Sequence, residues 1–169
     1  SPPYWPWAEA LRALTSEASA SDRQSLLRHG ATYLSLVLPE LRESSAFKRS
    51  SVADDQSVRF HVADAVRAVL HRAAPEKPLL LILEDVHWAD QGSLFLLEFI
   101  AHDIGSAPVL ILATYRDGEV AAPLLTTLSE LARLGVPCMT LNGLTLDGTK
   151  RLLGRLAPRR FPTRVVRQV

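Results

Sequence analysis

Two adjacent carboxylates, Glu84 and Asp85, directly follow the aliphatic run Leu79–Leu83. An aliphatic run without alternating polar residues predicts a strand that is buried on both faces. In open α/β sheets, ligands bind beyond the carboxyl ends of the strands, where this acidic pair is expected to lie. Paired carboxylates at such an edge suit a hydrated Mg²⁺ and an activated water. The sequence therefore predicts a site for a metal ion and a water molecule at the end of this strand.

Helical and strand patterns alternate on either side of the pair, which is typical of a parallel sheet with right-handed crossovers. A second aliphatic run, Val109–Thr114, predicts another fully buried strand, and Arg116 follows it closely. Asp90 is interpreted as the N-cap of a helix over 91–103 rather than as a metal ligand. A short third strand is expected over 138–141.

The other predicted elements are helices and one loop. Apolar spacing and capping signals predict helices that begin near Pro6, Ser21, Gln56, Leu124 and Thr145. The second of these is expected to continue to Leu38, where Pro39 ends it. Gly135 is expected to end the helix that begins near Leu124 in a left-handed conformation. The polar residues 42–55 predict a surface loop.

Composition and charge limit the class of protein. A chain of 169 residues, 47% of them apolar, suits one globular domain. The formal net charge of +1 does not favour nucleic-acid binding by this segment. No apolar run approaches the roughly 18 residues of a membrane span, and the first residues do not resemble a signal peptide. The single cysteine, Cys138, excludes an internal disulfide and a cysteine zinc cluster, which fits a cytoplasmic protein.

The string L-L-L-I-L-E-D-V-H-W-A-D, from Leu79 to Asp90, resembles the Walker B segment of STAND-class AAA-like ATPases, as found in large LuxR-type bacterial transcriptional regulators. Residues 4–12, 112–117, 141–144 and 150–153 resemble other stretches of the same family in the same order. The resemblance implies a P-loop NTPase fold of the AAA-like kind, an α/β fold with helices on both faces of a parallel sheet. It also implies a partial AAA-like nucleotide-binding domain over 1–157 and the start of a helical lid or linker over 158–169.

The same resemblance implies roles for three residues. Glu84 and Asp85 would hold Mg²⁺, Asp85 would also orient the attacking water, and Arg116 would be the sensor-1 residue that contacts the γ-phosphate of ATP. The commonest Walker B segment ends in Asp-Glu, whereas the order here is Glu-Asp, so which acid takes which role stays open. ATP and Mg²⁺ are the cofactors implied for the full-length protein.

No phosphate-binding loop of the pattern G-x-x-x-x-G-K-S/T occurs in the sequence. By the resemblance, that loop and the first two strands precede Ser1, so we expect the chain to be an internal fragment of a longer protein. A sheet that lacks a middle strand leaves backbone groups unpaired and edges exposed. We therefore expect the chain alone to be aggregation-prone and inactive, and to bind Mg-ATP negligibly. Micromolar binding in isothermal titration would contradict this expectation.

The function implied is part of an ATP-binding and ATP-hydrolysing regulatory switch in a signalling or transcription-regulating protein. Its partners would be nucleotide and the other domains of that protein, with no membrane and with DNA bound only through a separate output domain. Homo-oligomerisation stays open. The alternative is a non-hydrolysing scaffold or interaction module with ATPase-like architecture.

A third hypothesis is a metal-dependent hydrolase that uses Glu84, Asp85, His87 and Asp90. It is disfavoured because four side chains on one strand and turn do not all converge on one ion. For the tryptophans, packing is the favoured interpretation: Trp88 is expected under the sheet edge, and Trp5 and Trp7 on the body of the domain.

Overall fold

Two short parallel strands, β1 (Leu79–Leu83) and β2 (Val109–Ala113), form the sheet of this computed structural model. The structure describes residues 2–42, 56–75 and 77–156. The register pairs Leu79 with Val109 and Leu83 with Ala113, so both strands end at the same edge. The prediction of an α/β fold with a parallel sheet is confirmed.

The chain divides into two units, Ser1–Val136 and Pro137–Val169. The α-helices that the structure describes in the first unit are α1 (Trp5–Ser16), α2 (Ala20–Arg28), α3 (Ala31–Val37), α4 (Gln56–Ala73), α5 (Gln91–Asp103) and α6 (Ala122–Arg133). Short 3₁₀ helices cover Pro39–Arg42, Val86–Trp88, Ile104–Ser106 and Asp117–Glu119. The described part of the second unit contains α7 (Leu146–Leu156). Most of the predicted loop over 42–55, and all of the predicted lid over 158–169, lie outside the described residues.

The core of the first unit lies between α1, α3, α4, α5 and one face of the sheet. Its largest fully buried apolar side chains include Trp7, Leu11, Leu34, Val62, Val66, Leu70, Leu83, Leu96, Ile100 and Leu124. Complete burial of one such aliphatic side chain stabilises a fold by about 1.5–3 kcal/mol. The helices therefore support β1 from one side and fix the direction in which it delivers Glu84 and Asp85.

The other face of the sheet is exposed, so the prediction of strands buried on both faces, with helices on each side, is wrong for the described residues. Leu80, Ile82, Leu110 and Leu112 point to this face and are between 51% and 64% exposed. The alternate side chains Leu81 and Leu83 face the helices and are buried. An aliphatic run shows that both faces of a strand are apolar, but it does not show that both are covered.

The third strand predicted over 138–141 is not formed. Residues 137–145 have neither helix nor strand, and Met139 and Leu141 are 83% and 84% exposed. A strand needs a hydrogen-bonding neighbour, and the sheet of the described residues contains β1 and β2 alone. Local apolar character does not supply that neighbour.

The helix predicted from Ser21 to Leu38 is divided into α2 and α3 at Gly30. Gly30 has a φ of 77°, and a Cβ added there would lie 2.6 Å from the Cβ of Ala65. Glycine therefore allows the chain to turn while α3 approaches α4 closely. The cap of α2 is Ser19, whose Oγ accepts a hydrogen bond from the backbone N–H of Asp22 at 3.2 Å, rather than Ser21.

Several local predictions are confirmed. Asp90 is the N-cap of α5, which spans the predicted residues 91–103. Gly135 adopts a left-handed conformation with a φ of 76° after α6. Thr145 Oγ1 accepts a hydrogen bond from the N–H of Gly148 at 3.1 Å, as expected of a cap for α7. None of the described helices combines the length and the apolar character that a membrane-spanning helix needs.

Candidate functional site

The ends of β1 and β2 are joined by Thr114, the first residue after β2. Its backbone N–H donates to the carbonyl of Leu83, and its own carbonyl accepts from Val86, both at 2.9 Å. Its Oγ1 also accepts a hydrogen bond from the N–H of Asp85 at 3.1 Å. These bonds extend the strand pairing to the acidic residues and fix the backbone that carries them.

Asp85 adopts a left-handed backbone conformation, with φ 52° and ψ 45°. Few residues other than glycine adopt this region, although aspartate tolerates it better than most. A non-glycine residue there costs about 1–3 kcal/mol, and such residues cluster at functional sites. The conformation turns the chain sharply from β1 into the 3₁₀ helix Val86–Trp88 and leaves the Asp85 side chain 54% exposed.

Glu84 and Asp85 lie beside a pocket of about 220 Å³. The residues that line it are Trp5, Pro6, Glu84, Asp85, Trp88, Ala89 and Asp90. Glu84 is exposed and has no hydrogen bond or ion pair within the described ranges, so its oxygens are available to a ligand. Mg²⁺ binds proteins through one or two carboxylates and completes its shell with waters and phosphate oxygens. The donor set of this pocket therefore fits Mg²⁺.

Arg116, which follows β2, reaches the same edge of the sheet as the acids. Its Nε lies 4.0 Å from Oδ1 of Asp85, and its Nη1 donates to Oε1 of Glu119 at 3.0 Å. The Arg116 side chain is 65% exposed. Exposed ion pairs contribute about 0–1 kcal/mol to stability, so these contacts leave Arg116 available to an anionic ligand.

His87 is the buried member of this group. Its side chain is 1% exposed, with Nε2 3.2 Å from Oε2 of Glu119 and Nδ1 3.8 Å from Oδ1 of Asp85. Neither ring nitrogen has a hydrogen bond of good geometry to any residue that the structure describes. A buried polar group without a hydrogen bond costs about 1–3 kcal/mol. The sequence predicted no role for Glu119, because no pattern relates it to His87.

Asp90 serves the fold rather than a metal ion. Its Oδ1 accepts a hydrogen bond from the N–H of Ser93 at 3.1 Å, and its Oδ2 accepts from the Ser93 hydroxyl at 2.6 Å and from the N–H of Tyr4 at 2.8 Å. Trp7 adds a bond from its Nε1 to the carbonyl of Ser93 at 3.0 Å. These bonds attach the start of α1 to the start of α5, beside the pocket.

The metal-dependent hydrolase hypothesis is not supported by this geometry. Within residues 2–42, 56–75 and 77–156, no three histidine, cysteine, aspartate or glutamate side chains are arranged to hold a metal ion. The carboxylate of Asp90 is already engaged by the cap and by Tyr4. Two adjacent carboxylates, Glu84 and Asp85, are what remains for a cation.

The tryptophans differ from one another. Trp7 is buried in the core, as expected. Trp88 is 67% exposed and lines the pocket, so the expectation that it packs under the sheet edge is wrong. Trp5 is 48% exposed and also lines the pocket. The left-handed turn at Asp85 directs His87 inward and leaves Trp88 outward, which the apolar pattern alone does not predict.

Residues 1–112 match the family described as AAA ATPase domain. The matched range includes Glu84 and Asp85 and ends within β2, before Arg116. The comparisons with curated proteins and with solved structures give no match. ATPases of this kind use nucleotide and Mg²⁺ in general, which agrees with the oxygen donors of the pocket. Because the match covers more than half of the sequence, the chain belongs to the AAA ATPase domain family.

Proposed function

We propose that this chain is part of an ATP-binding and ATP-hydrolysing regulatory switch, in which Glu84 and Asp85 are the Walker B acids and Arg116 is the sensor-1 residue. The observation that carries the proposal is the meeting of Asp85 and Arg116 at one edge of the sheet. They follow different strands, yet Oδ1 and Nε lie 4.0 Å apart. A carboxylate and a guanidinium at the ends of adjacent parallel strands can bind, respectively, the cation and the anionic group of one metal–ligand complex.

Each residue has a chemical task in this proposal. Mg²⁺, when bound, neutralises the phosphate oxygens, and Glu84 is positioned to bind it directly or through water. The Asp85 carboxylate accepts a hydrogen bond from the attacking water and so orients it. Arg116 donates to the phosphoryl oxygens, where negative charge accumulates. Asp85 has a shorter side chain than the glutamate common at this position, which favours slow hydrolysis.

Slow hydrolysis suits a switch, because a nucleotide state that persists can control the position of other domains. The resemblance of Leu79–Asp90 to the STAND-class segment supports a signalling or transcription-regulating protein as the context. We further propose that the AAA-like domain extends to residue 157, and that other domains of the same protein are its partners. DNA would be contacted only through a separate output domain.

Replacement of Asp85 in the protein that contains this chain tests the proposal. Asp85→Asn keeps the shape of the side chain and removes its charge, so ATP turnover should fall by about 100-fold, while ATP affinity changes little. Asp147→Asn, the same replacement at a side chain that is 85% exposed on α7, should leave turnover unchanged. Wild-type turnover in the Asp85→Asn protein would refute the role of Asp85.

The alternative function is a non-hydrolysing scaffold, and phosphate release by the wild-type protein distinguishes it from the hydrolysing switch. The apolar sheet face formed by Leu80, Ile82, Leu110 and Leu112 favours an interaction module, because such faces are commonly covered by another surface. If the wild-type protein binds Mg-ATP and releases no phosphate, the scaffold replaces the hydrolysing switch as the function.

A further inference from the structure

We propose that His87 is a positioning residue that holds the carboxylate of Glu119, and through it the guanidinium of Arg116, at the end of β2. This inference rests on the proposed function of Arg116 as the residue that contacts the γ-phosphate. His87 itself does not touch the nucleotide, because its side chain is buried.

The contacts of Glu119 carry the inference. One carboxylate oxygen, Oε1, accepts a hydrogen bond from Nη1 of Arg116 at 3.0 Å. The other, Oε2, lies 3.2 Å from Nε2 of His87. Glu119 is therefore placed between a buried imidazole and an exposed guanidinium, and a movement of its carboxylate changes the position of Arg116.

The burial of His87 makes it the fixed member of the three. It lies in the 3₁₀ helix Val86–Trp88, which is closed by the bond from the N–H of Trp88 to the carbonyl of Asp85 at 2.9 Å. The centroid of its ring also lies 5.3 Å from the ring centroid of Trp88. By contrast, the side chains of Glu119 and Arg116 are 38% and 65% exposed, so both are less fixed by packing than His87.

The unmade hydrogen bond is the second observation. Both nitrogens of His87 are buried without a hydrogen bond to any described residue, although carboxylate oxygens lie 3.2 Å and 3.8 Å away. A small rotation of the imidazole or of Glu119 brings Nε2 and Oε2 into line. Hydrogen bonds at catalytic sites are often poorly aligned without substrate and tighten in the bound complex. Nucleotide binding is expected to complete this bond.

Three variants of the full protein test which atom of His87 matters. His87→Leu removes both nitrogens and should lower ATP turnover by about 10-fold, since small misplacements of a catalytic group cost up to about 100-fold. It should also reduce the preference for ATP over ADP and leave ADP affinity unchanged. His87→Gln, whose amide reaches the position of Nε2, should recover most of both properties. His87→Asn, whose shorter amide approaches the position of Nδ1, should not.

A double replacement tests whether the effect passes through Glu119. Glu119 is exposed, and Glu119→Gln keeps the size of the side chain. This variant should therefore fold normally and have a lower turnover by itself. If His87 acts through Glu119, the double variant His87→Leu with Glu119→Gln is no slower than the slower single variant. Multiplied losses in the double variant would overturn the inference.

The outcomes separate this inference from the proposed function. A folded His87→Leu protein with wild-type turnover and nucleotide preference overturns the positioning role, provided that Asp85→Asn still lowers turnover as proposed. If Asp85→Asn is also unaffected, the proposed function fails and the inference with it. If His87→Leu does not fold, the inference is tested by the turnover of the other three variants, His87→Gln, His87→Asn and Glu119→Gln. Equal turnover in all three overturns the role of His87, because only His87→Gln is expected to stay close to wild type.

Discussion

Arg116 and Arg133 each form an ion pair with a glutamate three residues away, at 3.0 Å and 2.6 Å. They differ in position, because Arg116 lies at the edge of the sheet beside Asp85, whereas Arg133 ends α6. Replacement of Arg116 by alanine should weaken ATP binding by about 10-fold and leave ADP binding unchanged, because a hydrogen bond to a charged group is lost at the γ-phosphate. Arg133→Ala is the matched control. Titration with both nucleotides checks the difference, and equal losses for ATP and ADP would argue against a γ-phosphate contact.

Asp90 illustrates how one carboxylate supports two elements. Asp90→Ala should destabilise the fold by about 1–2 kcal/mol, because it removes the cap of α5 and the bond to the N–H of Tyr4. Asp90→Asn should cost less, since asparagine caps helices almost as well. Denaturant unfolding measures both variants. A larger loss for asparagine than for alanine would contradict the capping role.

At the scale of the elements, Arg67 joins α4 to the end of α5. Its guanidinium forms ion pairs with Asp64 and Asp103, each at 2.8 Å, and His71 lies 3.2 Å from the same Asp103 carboxylate. The hydrogen bond from Arg67 is the main cause that holds the pKa of Asp103 below its ordinary value. In the same way, the hydrogen bond from Arg12 lowers the pKa of Glu40.

These lowered pKa values predict how stability changes in acid. A carboxyl whose pKa is lower in the folded state stabilises the fold above its unfolded pKa, and this contribution is lost as the pH falls through the folded pKa. The Tm should therefore fall with pH below the ordinary carboxyl range. Arg67→Met should make this fall smaller, whereas Arg133→Met, which removes an ion pair within α6, should not. Identical pH profiles for wild type and Arg67→Met would contradict the role of this pair.

At the scale of the whole molecule, the uncovered apolar sheet face predicts self-association of the 169-residue chain. Leu80 and Leu110 are register partners on that face, so Leu80→Glu with Leu110→Lys places opposite charges across the strand pair. The double variant should scatter less light at the same concentration and keep its helix content. Leu83→Ala, on the buried face, should instead lower stability by about 2–5 kcal/mol. A wild-type chain that stays monomeric at high concentration would contradict the prediction.

What the sequence predicts well is local. The presence of a strand before Glu84, the cap at Asp90 and the left-handed Gly135 depend on neighbouring residues, and the structure agrees with all three, although one face of the strand is exposed. The strand expected over 138–141 was wrong because pairing depends on a distant partner.

One part of the candidate site is likewise predictable from the sequence and another part is not. The strand ends predict that Asp85 and Arg116 share one edge of the sheet, since parallel strands end together. The contact between His87 and Glu119 is not predictable, because it depends on the left-handed turn at Asp85 and on the 3₁₀ helix after β2. The contact itself joins two segments about thirty residues apart, and no local pattern relates them.

The most direct test of the proposed function is to locate the position of the γ-phosphate relative to Arg116. A structure of the protein that contains this chain, bound to Mg²⁺, ADP and aluminium fluoride, would locate it. We predict a fluoride within about 3.5 Å of the Arg116 guanidinium, and Mg²⁺ held by Glu84 or Asp85 directly or through one water. Nucleotide bound away from the ends of β1 and β2, with Arg116 still paired with Asp85 and Glu119, would contradict the proposed switch.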